Sequence, residues 1–269
     1  LPADMLWAMR GPRAATSRLP KAFTLVELLV VVAIISLLLM MTAPVLQKAM
    51  RLTRSAVCGS NLHQIGTALQ SYVAKWAWYP VGIDQHTINE QRVWLWPPQL
   101  RVYTGDAKVM RCPQAPDFVP YAGAMAPTLW TPKYGSGLPA YYGYKDDEVR
   151  ILGMYQKFSY GYNVWGANIG VVPNPGLGVY RAHASYGETR ADRVVLPQDM
   201  VAFVDSCLTD YWSGFSGIYR VGQYPSGIHG GCANFLFCDS HVELLARETM
   251  MDINDPAVNC RWNVDHERH

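Results

Sequence analysis

The stretch Phe23-Thr-Leu-Val-Glu27-Leu-Leu-Val-Val-Val-Ala-Ile-Ile-Ser-Leu-Leu-Leu-Met-Met-Thr-Ala43, closed by Pro44, decides how the rest of the chain is read. As a helix its 21 residues would span about 31 Å, the thickness of a bilayer's hydrocarbon core. The run is apolar on every face, which argues against a core helix of a soluble protein. A cleaved secretory signal has a shorter apolar region and small residues at the cut. Here Thr42-Ala-Pro44 is a poor site, and the apolar pattern resumes at Val45 and Leu46. Ahead of the run, Arg10, Arg13, Arg18 and Lys21 stand against Asp4, so residues 1–22 carry +3 and the remainder −1. Basic residues on that side predict a cytoplasmic N-terminus, with everything after Pro44 outside. A plain anchor fits the length but leaves Glu27 unexplained, because a carboxylate within a membrane helix is penalised on insertion.

Working outward, Leu62, Ile65, Leu69, Tyr72 and Trp76 recur at helical spacing, with Gln64, Thr67 and Lys75 opposite. Pro80 marks the stop. The spacing predicts a helix from Phe23 to about Ala77, roughly 80 Å long and kinked at Pro44. Two helices joined near Cys58-Gly-Ser-Asn61 are the alternative. Beyond residue 80 the texture changes. The 269 residues include 16 Tyr, 9 Trp, 22 Gly and 18 Pro, and many of these punctuate residues 84–190 as loops and short strands. Half the chain is hydrophobic, which excludes disorder, while 16% charged residues and a net charge of +2 disfavour nucleic-acid binding.

The C-terminal part is more legible. Met200–Asp205 reads as a strand, and Ala233–Cys238 with His241–Ala246 reads as a hairpin turning at Asp239-Ser240. That turn would pair Phe237 with Val242, Phe235 with Leu244 and Ala233 with Ala246. The resulting apolar face is expected to cover the long helix, leaving Asn234, Leu236 and Cys238 on a mixed outer face.

Two resemblances follow from these residues. Lys21-Ala22-Phe23-Thr24-Leu25-Val26-Glu27 resembles the type IV prepilin signature: a basic leader, a small residue, a Phe and a Glu four positions after it. Ala22 stands where the family usually has Gly, and Pro44 falls where many pilins carry a kinking proline. The resemblance implies cleavage between Ala22 and Phe23 by a prepilin peptidase, N-methylation of Phe23, and an assembly role for Glu27, which pairs with a neighbour's N-terminal amine. The sequence opens on Leu1, and a start upstream, at Met5 or at Met9 would change the leader's length.

The second lies in His229-Gly-Gly-Cys-Ala-Asn-Phe-Leu-Phe-Cys-Asp239, which is similar to the H-X9-DG motif of a large bacterial group of prepilin-like proteins. Cys58-Gly-Ser-Asn-Leu-His-Gln-Ile-Gly66, Arg111-Cys-Pro113, Ser159-Tyr-Gly-Tyr-Asn163 and Phe203-Val-Asp205 fit the same group. Ser240 replaces its Gly, so a type I′ turn would be strained or another turn selected.

His229, Asp239, His241 and Asp205 could be drawn as a metal or hydrolase site, but their spacing matches no zinc pattern and no Cys-x-x-Cys is present. No catalytic residue, no metal ligand and no cofactor is therefore expected. Some secretion pseudopilins hold calcium in C-terminal loops, and Asp252, Asn254 and Asp255 offer oxygens for it here. Cysteines 58, 112, 207, 232, 238 and 260 would face the oxidising side, so at least one disulfide is expected. Cys232 and Cys238 are excluded as a pair, being roughly 20 Å apart along a strand.

The expected architecture is α+β: a long N-terminal transmembrane helix packed against a small antiparallel sheet with a loop-rich insertion, as in pilins. The divisions are a leader (1–22), a membrane and assembly segment (23–43), an outer amphipathic half-helix (44–79) and a periplasmic or extracellular domain (80–269). The resemblance implies a non-enzymatic subunit of a type IV pilus or type II secretion pseudopilus in the inner membrane. Its partners would be the prepilin peptidase, like subunits in a helical filament and the inner-membrane assembly platform, with no nucleic acid. A monomeric membrane-anchored binding protein and a surface hydrolase are the competing classes, and filament recovery with Phe23 at the mature N-terminus separates them.

Overall fold

The computed structural model describes residues 23–84, 94–114, 159–167, 175–178, 187–206, 215–216, 227–252 and 254–269. The leader with Ala22, Cys207 and most of the insertion at 84–190 lie outside the described residues. The chain divides into two compact units, residues 1–47 and 48–269.

One uninterrupted helix, α1 (Leu25–Trp76), carries the sequence through both units, with Pro44 inside it. Thr24 begins it as an N-cap. Glu27 N–H donates to Thr24 Oγ1 (3.2 Å), while Glu27 Oε2 accepts from Thr24 N (2.9 Å) and Oγ1 (2.7 Å). This is a capping box, which satisfies helix-start amides reciprocally. In the first unit, residues 25–47 are exposed apart from half-buried Ser36. By length and composition this part of α1 can cross a membrane.

In the second unit α1 becomes one-sided. Cys58, Leu62, Ile65, Gly66, Ala68, Leu69 and Tyr72 are buried along one stripe, while Gln64, Thr67 and Lys75 are exposed. Trp76 departs from the expected stripe. It is 53% exposed, and Lys75 Nζ lies 5.0 Å from its ring centroid. The helix ends at Trp76, within one residue of the expected end near Ala77 and ahead of Pro80, because Ala77 takes a left-handed φ of 60°. Its N–H still bonds Val73 O at 2.8 Å, which closes the last turn.

Two short strands, β1 (Ile83–Asp84) and β2 (Trp94–Leu95), pair antiparallel and lead into α2 (Trp96–Thr104). The main sheet takes β3 (Tyr160–Asn163), β4 (Val201–Asp205), β5 (Phe215–Ser216), β6 (Cys232–Phe237) and β7 (Val242–Ala246) in the order β5-β3-β4-β6-β7. Its neighbours are antiparallel except β3 with β5. The last segment contains α3 (Arg247–Met250), α4 (Pro256–Asn259) and a 3₁₀ turn at Cys260–Trp262. A long apolar helix with a small, mainly antiparallel sheet is the α+β, pilin-like architecture expected from the sequence.

The hairpin differs from its expected form in register and in facing. Leu236 pairs with Val242 and Phe235 with Glu243, one residue away from the expected pairing. The turn holds three residues, Cys238-Asp239-Ser240, closed by Phe237 N–H to His241 O at 3.0 Å. Ser240 takes φ 82°, the left-handed position that a three-residue loop with a bulge requires. That extra residue shifts the register.

The helix lies against Asn234, Leu236 and Cys238, not against the phenylalanines. A β-carbon added at Gly66 would lie 2.7 Å from Leu236 Cδ1, and one at Gly59 would lie 3.4 Å from Asn234 Oδ1. Gln70 Nε2 donates to Cys238 O on the same face. Ala233, Phe235 and Phe237 turn the other way and pack with Met250, Val258 and Trp262. The Phe235 and Trp262 rings meet edge-on at 6.3 Å. The face expected to carry the helix is therefore roofed by the C-terminal segment, and both faces of β6 are buried. Burying each such side chain contributes roughly 1.5–3 kcal/mol, so two covered faces outweigh one.

Candidate functional site

Among the described residues, two places carry chemistry. The first is the start of α1. Phe23 is 70% exposed, and the Glu27 carboxylate is held by Thr24. Thr24-Leu-Val-Glu27 carries the T-x-x-E signature of this capping box, a signal that lies inside the prepilin-like motif and is masked by it.

The second place is buried. Cys58 enters from α1, Cys112 from the turn after the 3₁₀ helix Ala107–Met110, Asp205 from the end of β4 and His229 from the turn before β6. Their ligand-capable atoms all lie within 4.8 Å of one another. Cys58 Sγ–H donates to Asp205 Oδ1 at 2.8 Å and lies 3.3 Å from Tyr160 Oη. His229 Nε2 lies 3.0 Å from Asp205 Oδ2 and 3.8 Å from Cys112 Sγ. Asp205 Oδ2 also accepts from Asn234 N (2.7 Å) and Asn234 Nδ2 (2.8 Å). On the far side of the imidazole, His229 Nδ1 meets Gln114 Oε1 at 2.9 Å, and Gln114 Nε2 donates to Ile228 O at 2.7 Å.

The electrostatics follow from this packing. A hydrogen bond from Cys58 holds Cys112 down at about 6 against the opposing effect of burial, and His229 adds to the lowering. Burial, then Cys112 and Asp205, push Cys58 far up, so it stays a thiol. Burial disfavours the charged form of His229, but Asp205 and Cys112 prevail and raise it to about 9.

The structure brings His229 and Asp205 together and separates both from Asp239 in bonding. Asp239 Oδ1 instead accepts from His241 N (3.1 Å) and meets His241 Nδ1 (2.6 Å) in the hairpin loop. The whole of β6 lies between His229 and Asp239. His229 and Asp239 thus bracket a strand, one anchoring a buried cluster and the other shaping a turn. Asp252 Oδ1 accepts from Asn254 N (3.1 Å), and Asp255 Oδ1 caps α4 through Ala257 N (2.9 Å).

Cys58, Cys112, Gln114 and Asn234 were not read as site residues. The signal is scattered along the sequence, since Cys58-Gly-Ser-Asn61, Arg111-Cys-Pro113, Ser159-Tyr160 and Phe203-Val-Asp205 each supply a member. The five described cysteines, 58, 112, 232, 238 and 260, are unbridged, in contrast to the disulfide expected from the sequence. Cys58 and Cys112 meet within a polar cluster instead.

With this geometry in view, residues 18–43 match the family model described as the prokaryotic N-terminal methylation motif. No curated protein matches the chain, and no solved structure does. The chain thus joins the methylation motif of prepilin-like proteins to a pilin-like α+β architecture. That combination indicates a prepilin-type substrate anchored by its N-terminal helix.

Proposed function

We propose that the chain is a structural subunit of a type IV pilus or type II secretion pseudopilus. In this reading a prepilin peptidase cuts between Ala22 and Phe23 and methylates the new amine. The helix first anchors the subunit in the inner membrane, with residues after Pro44 on the periplasmic side. It then packs among like subunits in a filament built on the inner-membrane platform. The observation that carries the reading is the methylation motif at 18–43 running directly into an exposed apolar helix. A soluble protein would not leave so long an apolar surface uncovered, whereas lipid and neighbouring helices both cover it. The subunit itself is not an enzyme in this reading, and it works by packing.

N-terminal sequencing with mass measurement of the membrane-extracted and sheared-filament fractions tests the proposal. The expected result is a chain starting at N-methylated Phe23 in both. An intact leader in cells with an active prepilin peptidase would overturn it.

A further inference from the structure

We propose that Cys58, Cys112, Asp205 and His229 form a closed, four-coordinate structural zinc site that fastens the outer half of α1 to the central strands of the sheet.

Four side chains from four separate segments aim their donor atoms at one buried point. Cys58 and Asp205 are fully buried, Cys112 is 1% exposed, and the His229 side chain is 1% exposed. The donor set of two sulfurs, one imidazole nitrogen and one carboxylate oxygen suits zinc, whereas calcium takes oxygen ligands only. Metal–ligand lengths of about 2.0–2.3 Å give a tetrahedron with edges of about 3.3–3.8 Å. Two edges of such a tetrahedron, Cys58 Sγ to Asp205 Oδ1 at 2.8 Å and Cys112 Sγ to His229 Nε2 at 3.8 Å, bracket that range, and all ligand atoms lie within 4.8 Å of one another. Shifts of about 1 Å or less in each separation therefore complete the tetrahedron.

The outer partners are arranged as a metal histidine needs. Gln114 is turned by its bond to Ile228 O so that its Oε1 accepts from Nδ1–H of His229. That fixes the tautomer and leaves Nε2 directed at the centre. Asn234 holds Asp205 Oδ2 through two donors, leaving Oδ1 for the ion once Cys58 gives up its proton. A disulfide between Cys58 and Cys112 would need neither this imidazole nor this carboxylate.

Charge also balances. Zn²⁺ against two thiolates and one carboxylate leaves a net −1. Tyr160 Oη beside Cys58 Sγ, and the Asn234 donors on Asp205, meet that residual charge. Binding releases the remaining thiol and imidazolium protons to solvent. All four positions are filled by protein, so no place is left for a reacting water, and the role is structural. Because the ligands span residues 58 to 229, metal binding would stabilise the whole second unit.

The test uses the full-length protein in detergent. Bound zinc is measured by elemental analysis, and the metal-stripped protein is titrated with Co²⁺ and Zn²⁺. One zinc per chain is expected, together with thiolate-to-cobalt charge-transfer and tetrahedral d–d bands. Cys112→Ser and His229→Ala should lose those bands, while Cys260→Ser, outside the cluster, should keep them. Should the ligand variants fail to fold, Gln114→Ala decides, since it spares all four ligands and should weaken zinc binding by about 10–100-fold. A Cys58–Cys112 disulfide mapped in unreduced protein overturns the proposal. So does reduced wild-type protein that shows no thiolate–cobalt band.

Discussion

Residues 25–47 and residues 58–72 belong to the same helix, yet they live in opposite surroundings. In the first, Leu25, Leu29 and Leu39 are 78%, 61% and 62% exposed; in the second, Leu62, Ile65 and Leu69 are wholly buried. The buried stretch, which holds Gly59 and Gly66, has the poorer helix formers of the two, so propensity does not explain which one is covered. What differs is the covering surface. The outer stretch owns its cover: a sheet within the same chain, brought close by Gly59 and Gly66. The inner stretch has none among the described residues. In the proposed function that surface is completed by lipid first and by other subunits later, which accounts for the methylation motif and the bare helix occurring together.

The most drastic way to break this comparison is to stop the inner stretch from changing its cover. Ala22→Arg places a bulky charge at the proposed cut. Leader removal should fail and filaments should vanish, while membrane-fraction abundance persists. Immunoblot mass shift and sheared-filament yield report both, and filaments built from uncut Ala22→Arg chains would detach the exposed helix from any assembly role.

Glu27 comes next. Its carboxylate already has a local partner, because it closes the capping box with Thr24. Two substitutions separate that duty from a charge that pairs with a neighbour's amine. Glu27→Gln keeps a capping-box residue but no charge, and Glu27→Val keeps neither. Both should insert and be cut normally, since the cut site is untouched. Both should reduce filament yield by roughly tenfold or more, because a charge buried in an assembled filament is left without its partner. Equal yields for wild type and Glu27→Gln would mean that the carboxylate serves only the helix start.

In the outer stretch the comparison is sharpened by spoiling the close approach. Gly66→Leu would drive a side chain into Leu236 and the Ser240 backbone, where even a β-carbon comes within 3.1 Å of Ser240 Cα. Overpacking of this kind costs about 1–3 kcal/mol. Thermal unfolding of the second unit should shift down by several degrees, while membrane insertion should be unchanged. An unshifted transition would show that the helix does not lean on the hairpin here.

How much of this was legible depends on the range of the signal. The apolar run, the stripe at Leu62, Ile65, Leu69 and Tyr72, and the strands at 201–205 and 232–246 follow from local periodicity, and the structure keeps them. Facing was not legible. Alternation along β6 separates two sets of residues but cannot say which one meets the helix when both are buried. The roof over Phe235 and Phe237 comes from Met250, Val258 and Trp262, short elements without a period to read. The buried cluster was illegible for a further reason. Its members sit at 58, 112, 205 and 229, so only the fold puts them within reach, and no short spacing of the zinc-finger kind announces them. Trp76 fits the stripe by count alone, at the last residue of the helix before Ala77 turns left-handed.

The smallest expected effect concerns the turn that set the register. Ser240 has a left-handed φ of 82°, which brings the side chain of an L-residue close to its own backbone. Its Oγ is buried and has no hydrogen-bond partner among the described residues. Ser240→Gly removes the strain and the orphaned hydroxyl, and it loosens the unfolded chain. The first two effects together are worth about 1–3 kcal/mol and the last returns about 0.5–1, so a net gain of about 1 kcal/mol is expected. Urea unfolding should show it as a higher midpoint at unchanged slope. The same substitution also tests the helix–hairpin approach, since the Ser240 β-carbon lies 3.1 Å from where a Gly66 β-carbon would be. Gly66→Ala should therefore be better tolerated in the Ser240→Gly background than alone. The two changes should be non-additive by about 0.5 kcal/mol or more, as neighbours are. Strict additivity would place the helix farther from the hairpin than these distances do, and would weaken the claim that the outer stretch carries its own cover.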